Sequence, residues 1–135
     1  MRTVFLDSNI LIYVLAEGDP RQAVAAKQLA QGFVASVQVL NEFANVARRK
    51  LGLPWPDVTA ALSALRVFCP APVPLTVATH EAALLLAARL GFSFYDSLIV
   101  ASALEAGCTT LLSEDMQDSR VVDGRLTIRN PFRQG

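Results

Sequence analysis

Twice the chain runs through a short apolar stretch and stops on acids. Thr3-Val4-Phe5-Leu6 ends on Asp7 and restarts as Ile10-Leu11-Ile12-Tyr13, and Thr109-Thr110-Leu111-Leu112 ends on Ser113-Glu114-Asp115. Apolar runs this short fit strands buried on both faces, which belong to parallel sheets covered by helices. Ligands gather at the carboxyl ends of such strands, where Asp7 and Asp115 fall. Two readings of Asp7 stand at this point. It caps the helix that follows, a role open to Ser8 and Asn9 as well, or it is a functional carboxylate that needs other acids converging on it.

The intervening segments read as helices. Gly18-Asp19-Pro20 marks a break, with Asp19 as N-cap and Pro20 as first helical residue, before a helix over about 20–31 whose apolar stripe is Ala23, Ala26, Leu29 and Ala30. Phe33-Val34-Ala35 reads as a second buried strand leading into a helix capped by Ser36. That helix carries Val39, Leu40, Phe43, Val46 and Ala47 at helical spacing with Glu42 on its flank, and it ends in Arg48-Arg49-Lys50. A helix over 56–68 is stopped by Pro70, Pro72 and Pro74, with Val73 placed on an edge strand. Thr76 caps a helix over 77–90 closed by Gly91, Phe92 to Phe94 form a loop, and Tyr95-Asp96-Ser97 begins a helix reaching Ala106. Arg125 to Ile128 is a final strand. Strands alternating with helices imply an α/β fold with right-handed crossovers, its mostly parallel sheet of four to five short strands flanked by helices. A chain of 135 residues is near the commonest domain size, so one domain over residues 1–135 is expected.

Composition narrows the partners. Net charge is zero, from 12 basic and 12 acidic residues, so nucleic acid is not held by global basicity and any such binding must be local. Apolar residues are 53% of the chain, above the roughly 45–50% of ordinary domains, which points to a permanent partner surface. The longest apolar runs, residues 10–16 and 82–88, are far short of the roughly 20 residues of a membrane span. Asp7 also interrupts the early apolar run before it reaches signal-peptide length, so a cytoplasmic setting is expected. Cys69 and Cys108 match no zinc or redox spacing and are expected as buried free thiols.

Asp7, Glu42, Asp96 and Asp115 stand out by position. Each has an ordinary explanation alone: Asp96 complements a helix dipole, Glu42 is a solvated flank residue, and residues 113–115 form a turn. Together they fall where a parallel sheet lets them converge. Carboxylates about 4 Å apart repel by roughly 1–4 kcal/mol per pair, so convergence calls for a cation. No Cys or His is nearby, since the single histidine, His80, opens an apolar helix as a surface residue; carboxylate and water ligands suit Mg²⁺ or Mn²⁺ rather than zinc. Asp96, at a helix N-terminus, is expected to stay ionised.

Leu6-Asp7-Ser8-Asn9, the helical Glu42, Tyr95-Asp96-Ser97 and Leu112-Ser113-Glu114-Asp115 resemble the PIN-domain ribonucleases, in particular the toxins of VapBC-type toxin–antitoxin pairs. The resemblance covers nearly the whole chain and implies a three-layer PIN-like fold. It also implies that Asp7, Glu42, Asp96 and Asp115 hold one or two Mg²⁺ or Mn²⁺ ions, with Asn9 and Ser113 orienting these acids and Asp118 as an extra acid. The activity it implies is hydrolysis of RNA by a metal-activated water. The partners it implies are an RNA substrate, a cognate antitoxin protein and a second copy of the chain. Phosphate contacts are expected from Arg48, Arg49, Lys50, Arg120, Arg125, Arg129 and Arg133.

Rival classes are weaker. A receiver-type signalling domain needs a lysine after a late strand, and the lysines are Lys27 and Lys50. A phosphatase of the haloacid dehalogenase type needs an acid where Asn9 stands. A PIN fold that binds RNA or protein without cutting remains the serious alternative, against which the full set of four acids argues.

Overall fold

The computed structural model describes residues 3–133. In chain order the elements are β1 (Val4–Leu6), α1 (Ser8–Ile12) running into a 3₁₀ turn (Tyr13–Leu15), α2 (Arg21–Ala30), α3 (Val37–Arg49), α4 (Trp55–Phe68), α5 (Val77–Leu90), α6 (Phe94–Glu105), β2 (Thr110–Leu112), β3 (Val121–Val122) and β4 (Leu126–Arg129). The strands lie in the order β1-β2-β4-β3, with β1, β2 and β4 parallel and β3 antiparallel to β4. This is the expected α/β fold with a mostly parallel sheet flanked by helices.

Register decides what the sheet presents. Leu6 pairs with Leu112, and Leu112 with Arg129, so β1 and β2 end level. The ladder continues one step past the strands: Asp7 N–H donates to Leu112 O at 3.0 Å and Ser113 N–H to Arg129 O at 2.9 Å. Asp7 and Ser113 therefore leave the sheet side by side. Phe5, Leu6, Leu111, Leu126 and Ile128 are buried on the sheet, and Ile10 and Leu11 behind them on α1.

α6 is the central helix. Every residue from Ser97 to Ala103 is buried, as expected of a helix apolar on all sides. Ser93 caps it, its hydroxyl accepting from Asp96 N–H at 3.2 Å, so the helix begins at Phe94 and the expected loop is one residue shorter. α5 is capped by Thr76 and closed by Gly91 at φ 78°, as its sequence indicates. No single helix among the described residues is long and apolar enough to cross a membrane. Cys69 and Cys108 are buried and free, as expected.

Phe33 to Ala35 is not a strand. Val34 makes a single parallel bridge to Phe5 and Ser36 one to Val73, because the extended run ends where Ser36 caps α3 by accepting from Val39 N–H at 3.2 Å. Val73 is likewise a single bridge rather than an edge strand. The stripe expected on α2 is rotated: Ala25 and Leu29 are buried, and Ala23, Ala26 and Ala30 are exposed. Gln22 sets this rotation, since its amide donates to Val14 O at 2.9 Å from the side that faces the core. The N-cap position of α2 is Pro20, while the Asp19 carboxylate still accepts from Arg21 N–H at 2.9 Å. A hairpin absent from the sequence reading joins β3 to β4. Asp123 and Gly124 both have positive φ, 53° and 63°, as a type I′ turn requires, and Arg125 N–H closes it on Val122 O.

One buried side-chain polar atom lacks a partner among the described residues, the Ser102 hydroxyl on α6. Leaving a hydroxyl unsatisfied in the interior costs about 1–3 kcal/mol. Ser102→Ala is therefore expected to stabilise the fold by about 1 kcal/mol in urea denaturation, and a loss of stability would show that this hydroxyl is satisfied.

Candidate active site

Asp7 is 4% exposed. One carboxylate oxygen accepts from Ser8 N–H at 2.7 Å and the other from the Ser113 hydroxyl at 2.8 Å. The first of these contacts makes Asp7 itself the N-cap of α1, so capping does not pass to Ser8 or Asn9. Burial pushes the Asp7 carboxyl up to about 7; the two hydrogen bonds oppose the rise, and the charges of Glu42 and Asp96 add to it.

Ser8 and Asn9 have other tasks. The Ser8 hydroxyl donates to Glu42 Oε1 at 3.0 Å, and Gln38, one helical turn before Glu42 on α3, donates to its Oε2 at 3.2 Å. The Asn9 amide donates to Asp115 Oδ2 at 3.0 Å, while its oxygen accepts from Glu114 N–H at 3.2 Å. Three consecutive residues at the end of β1 thus supply one acid and fix two more.

Asp96 sits in the first turn of α6, half-buried, and its carboxyl is raised, first by burial and then by the charge of Asp115. The helix terminus does not lower it as expected, because burial and a like charge outweigh the Ser93 contact. Asp7 therefore lies within electrostatic reach of Glu42 and Asp96, and Asp96 within reach of Asp115. Each acid is tied to its own donor, and among the described residues no three His, Cys, Asp or Glu side chains stand as a ready ligand set.

Asp118 does not join this group. Its carboxylate accepts from Asn130 N–H at 2.7 Å, lies 3.8 Å from the Arg133 guanidinium, and is held below the usual carboxylate range by these contacts, the Asn130 N–H first. It anchors the segment after β4. Of the expected phosphate contacts, Arg48 is turned onto Leu53 O and the Trp55 ring, Arg120 onto Leu90 O and the Phe92 ring, Arg129 onto Ser119 and Arg133 onto Asp118.

The sequence reading passed over Glu114. Its carboxylate accepts from the Tyr13 hydroxyl and pairs with Arg21 at 3.1 Å, and Arg21 in turn pairs with Asp19 at 2.8 Å and lies over the Tyr13 ring. Glu114, Arg21 and Asp19 border a hollow of about 650 Å³ with Asn130, Phe132 and Arg133. Arg21 neutralises its acids, whereas a smaller groove of about 420 Å³ is bordered by Glu42, which has no cationic partner among the described residues. Of the four acids, Glu42 is the one that lines this smaller groove, together with Tyr95, the neighbour of Asp96 in the chain. No sequence pattern marks Arg21 as the partner of Glu114, because 93 residues separate them.

Because the Asp7 carboxyl rises from 3.8 to about 7 on folding, the folded protein binds the extra proton between those values and loses stability as pH increases through that window. In metal-free buffer, Asp7→Asn is expected to resist urea better than the parent at pH 8, by about 1–3 kcal/mol, with the gap closing towards pH 4. A gap independent of pH would show that the carboxyl is not perturbed.

The family model for the PIN domain matches residues 4–123. No curated protein matches the chain by sequence. Among solved structures, a toxin–antitoxin complex from Klebsiella pneumoniae superposes with a TM-score of 0.71 at 19% identity, covering 97% of this chain and 99% of that one. VapC20 of Mycobacterium tuberculosis, described as a sarcin–ricin loop cleaving toxin, gives 0.68 at 22% identity over 83% of this chain and 91% of its own. VapBC2 from Rickettsia felis, bound to a DNA fragment from its promoter, gives 0.68 at 17% identity over 94% and 97%. At these identities the structures speak for the fold, and the family match covers most of the chain. The chain is a member of the PIN domain family.

Proposed function

We propose that the chain is an endoribonuclease dependent on Mg²⁺ or Mn²⁺ that hydrolyses RNA phosphodiester bonds, and that it acts as the toxin of a toxin–antitoxin pair. The observation that carries this reading is the buried Asp7 carboxyl, surrounded by the charges of Glu42 and Asp96 and held by donors rather than by a cationic side chain. The donors present are carboxylate and hydroxyl oxygens, the chemistry that fits a hard divalent ion. Asp7, Glu42, Asp96 and Asp115 are the residues to hold it. When bound, such an ion lowers the pKa of water and offsets charge developing on a phosphodiester.

The chain's own residues do the positioning. Ser113 and Ser8 N–H fix both oxygens of Asp7, Ser8 and Gln38 fix Glu42, and Asn9 fixes Asp115. Carboxylates fixed this way need little reorganisation as charge develops, which is where electrostatic catalysis gains most. A PIN fold that only binds has no use for an acid kept in the interior at this cost. Solved structures of similar fold include a sarcin–ricin loop cleaving toxin, a toxin–antitoxin complex and a VapBC2 assembly, which supports the toxin role.

A second copy and an antitoxin are the proposed partners. Val67 on α4 and Val77 on α5 are each 74% exposed and Leu85 on α5 70%, large apolar side chains open to a partner. An apolar hollow of about 200 Å³ between α1, α3 and α4, lined by Leu11, Val14, Phe43, Leu65 and Phe68, opens among largely buried side chains.

With Mg²⁺ and total cellular RNA, the parent is expected to cleave. Asp7→Asn is expected to lose at least about a hundredfold in rate, and Ser113→Ala about 10- to 100-fold through misplacement of Asp7. Equal cleavage by parent and Asp7→Asn, or none by either, overturns the nuclease. In solution, mass measurement at micromolar concentration is expected to give a dimer, and a strictly monomeric species contradicts that part.

A further inference from the structure

The groove that opens beside Glu42 has an unusual lining. Its walls are Gln38, Asn41, Glu42 and Asn45 from α3 and Tyr95 from the start of α6, around about 420 Å³. Positions 38, 41, 42 and 45 recur at helical spacing, so their side chains form a polar row along one side of the groove. Tyr95 is 61% exposed, a large outlay of aromatic surface, and its ring is steadied edge-on by Phe94 at 5.6 Å. It immediately precedes Asp96. The Asn41 and Asn45 amides make no hydrogen bond to the described residues, so each offers a donor and an acceptor to something outside the fold.

The groove also leads somewhere. Asn45 lines a second hollow of about 210 Å³ with Val46, Arg49 and Lys50. Arg49 and Lys50 are exposed, and their side chains make neither an ion pair nor a hydrogen bond with the described residues, whereas Arg48 and Arg129 are held by hydrogen bonds and Arg133 by an ion pair. From Glu42 to Arg49 the helix rises about 10 Å. Glu42, two free amides facing Tyr95 of α6, and two free cations therefore follow one another along α3 and its end.

The geometry points to a binding track for single-stranded RNA, in which one unpaired base stacks on Tyr95 and is read by Asn41 and Asn45, while a neighbouring phosphate is held by Arg49 and Lys50. This deepens, and rests on, the ribonuclease reading of the adjacent acids. Aromatic stacking accepts any unstacked base, and side-chain amides reach the Watson–Crick or Hoogsteen edge only of a base splayed out of a helix. Paired RNA hides both. The track thus selects an unpaired nucleotide next to the bond presented to the acids.

Binding separates this inference from the cleavage reading. In the Asp7→Asn background without divalent metal, short homopolymeric oligoribonucleotides of each base are titrated by fluorescence anisotropy. The expected result is measurable binding with a preference among bases, weakened roughly tenfold by Tyr95→Ala and restored by Tyr95→Phe. Asn41→Ala with Asn45→Ala is expected to flatten the base preference. Arg49→Ala with Lys50→Ala is expected to weaken all oligomers alike and to reduce the dependence on salt. Duplex RNA is expected to compete poorly. Binding by Tyr95→Ala within twofold of its parent, equal competition by duplex, or no binding of any oligomer overturns the track. RNA cleavage with Tyr95-independent binding removes the track and keeps the nuclease, whereas Tyr95-dependent binding without cleavage does the reverse.

Discussion

The Asp7 carboxylate accepts Ser8 N–H at 2.7 Å on one oxygen and the Ser113 hydroxyl at 2.8 Å on the other; the first donor comes from the turn into α1, and the second is in place because β1 and β2 end level. Hydrogen bonds to a charged group contribute about 1.5–3 kcal/mol each, against a cost of several kcal/mol for burying a lone ion. Burial wins: the rise from 3.8 to about 7 disfavours the ionised form by about 4 kcal/mol. An interior acid that its own donors do not fully satisfy is under demand for positive charge. No cationic side chain among the described residues meets it.

The rest of the pocket is built outward from that carboxyl. Ser8 turns from Asp7 to Glu42, and Asn9 bridges to Asp115 and Glu114, so the first turn of α1 carries the position of β1 to α3 and to the loop after β2. The central helix α6 brings Asp96 because Ser93 fixes its first turn and seven consecutive buried residues fix the rest. On the far side of Glu114, Arg21 satisfies the neighbouring acids, which separates a neutralised, structural carboxylate cluster from an unneutralised one only a residue away.

Much of this was legible in the sequence because it depends on local pattern. The runs ending at Asp7 and Asp115, the caps Ser36 and Thr76, and the helix carrying Glu42 follow from residue spacing alone. The pairing of Asn9 and Ser113 with acids came instead through the family resemblance. What escaped depends on contacts distant in sequence or on burial. The Phe33 to Ala35 strand shrank to single bridges because Ser36 ends it at once, and the α2 stripe turned because Gln22 anchors on Val14. Arg21 finds Glu114, and Asp118 turns to Asn130, through tertiary packing that no window reveals. Asp96 departs from the helix-dipole expectation because burial and Asp115 outweigh it. The Asp123-Gly124 turn is different, since its signal stood in the sequence and went unread.

The central proposal is that the acids around Asp7 take up a divalent cation, and Mn²⁺ titration followed by electron paramagnetic resonance at neutral pH tests it without any substrate. The account predicts that the parent removes free Mn²⁺ from the spectrum at micromolar to millimolar concentration, that Mg²⁺ competes, and that Asp7→Asn does not bind although it remains folded. A parent that leaves free Mn²⁺ unchanged, or a variant that binds it equally well, contradicts the account.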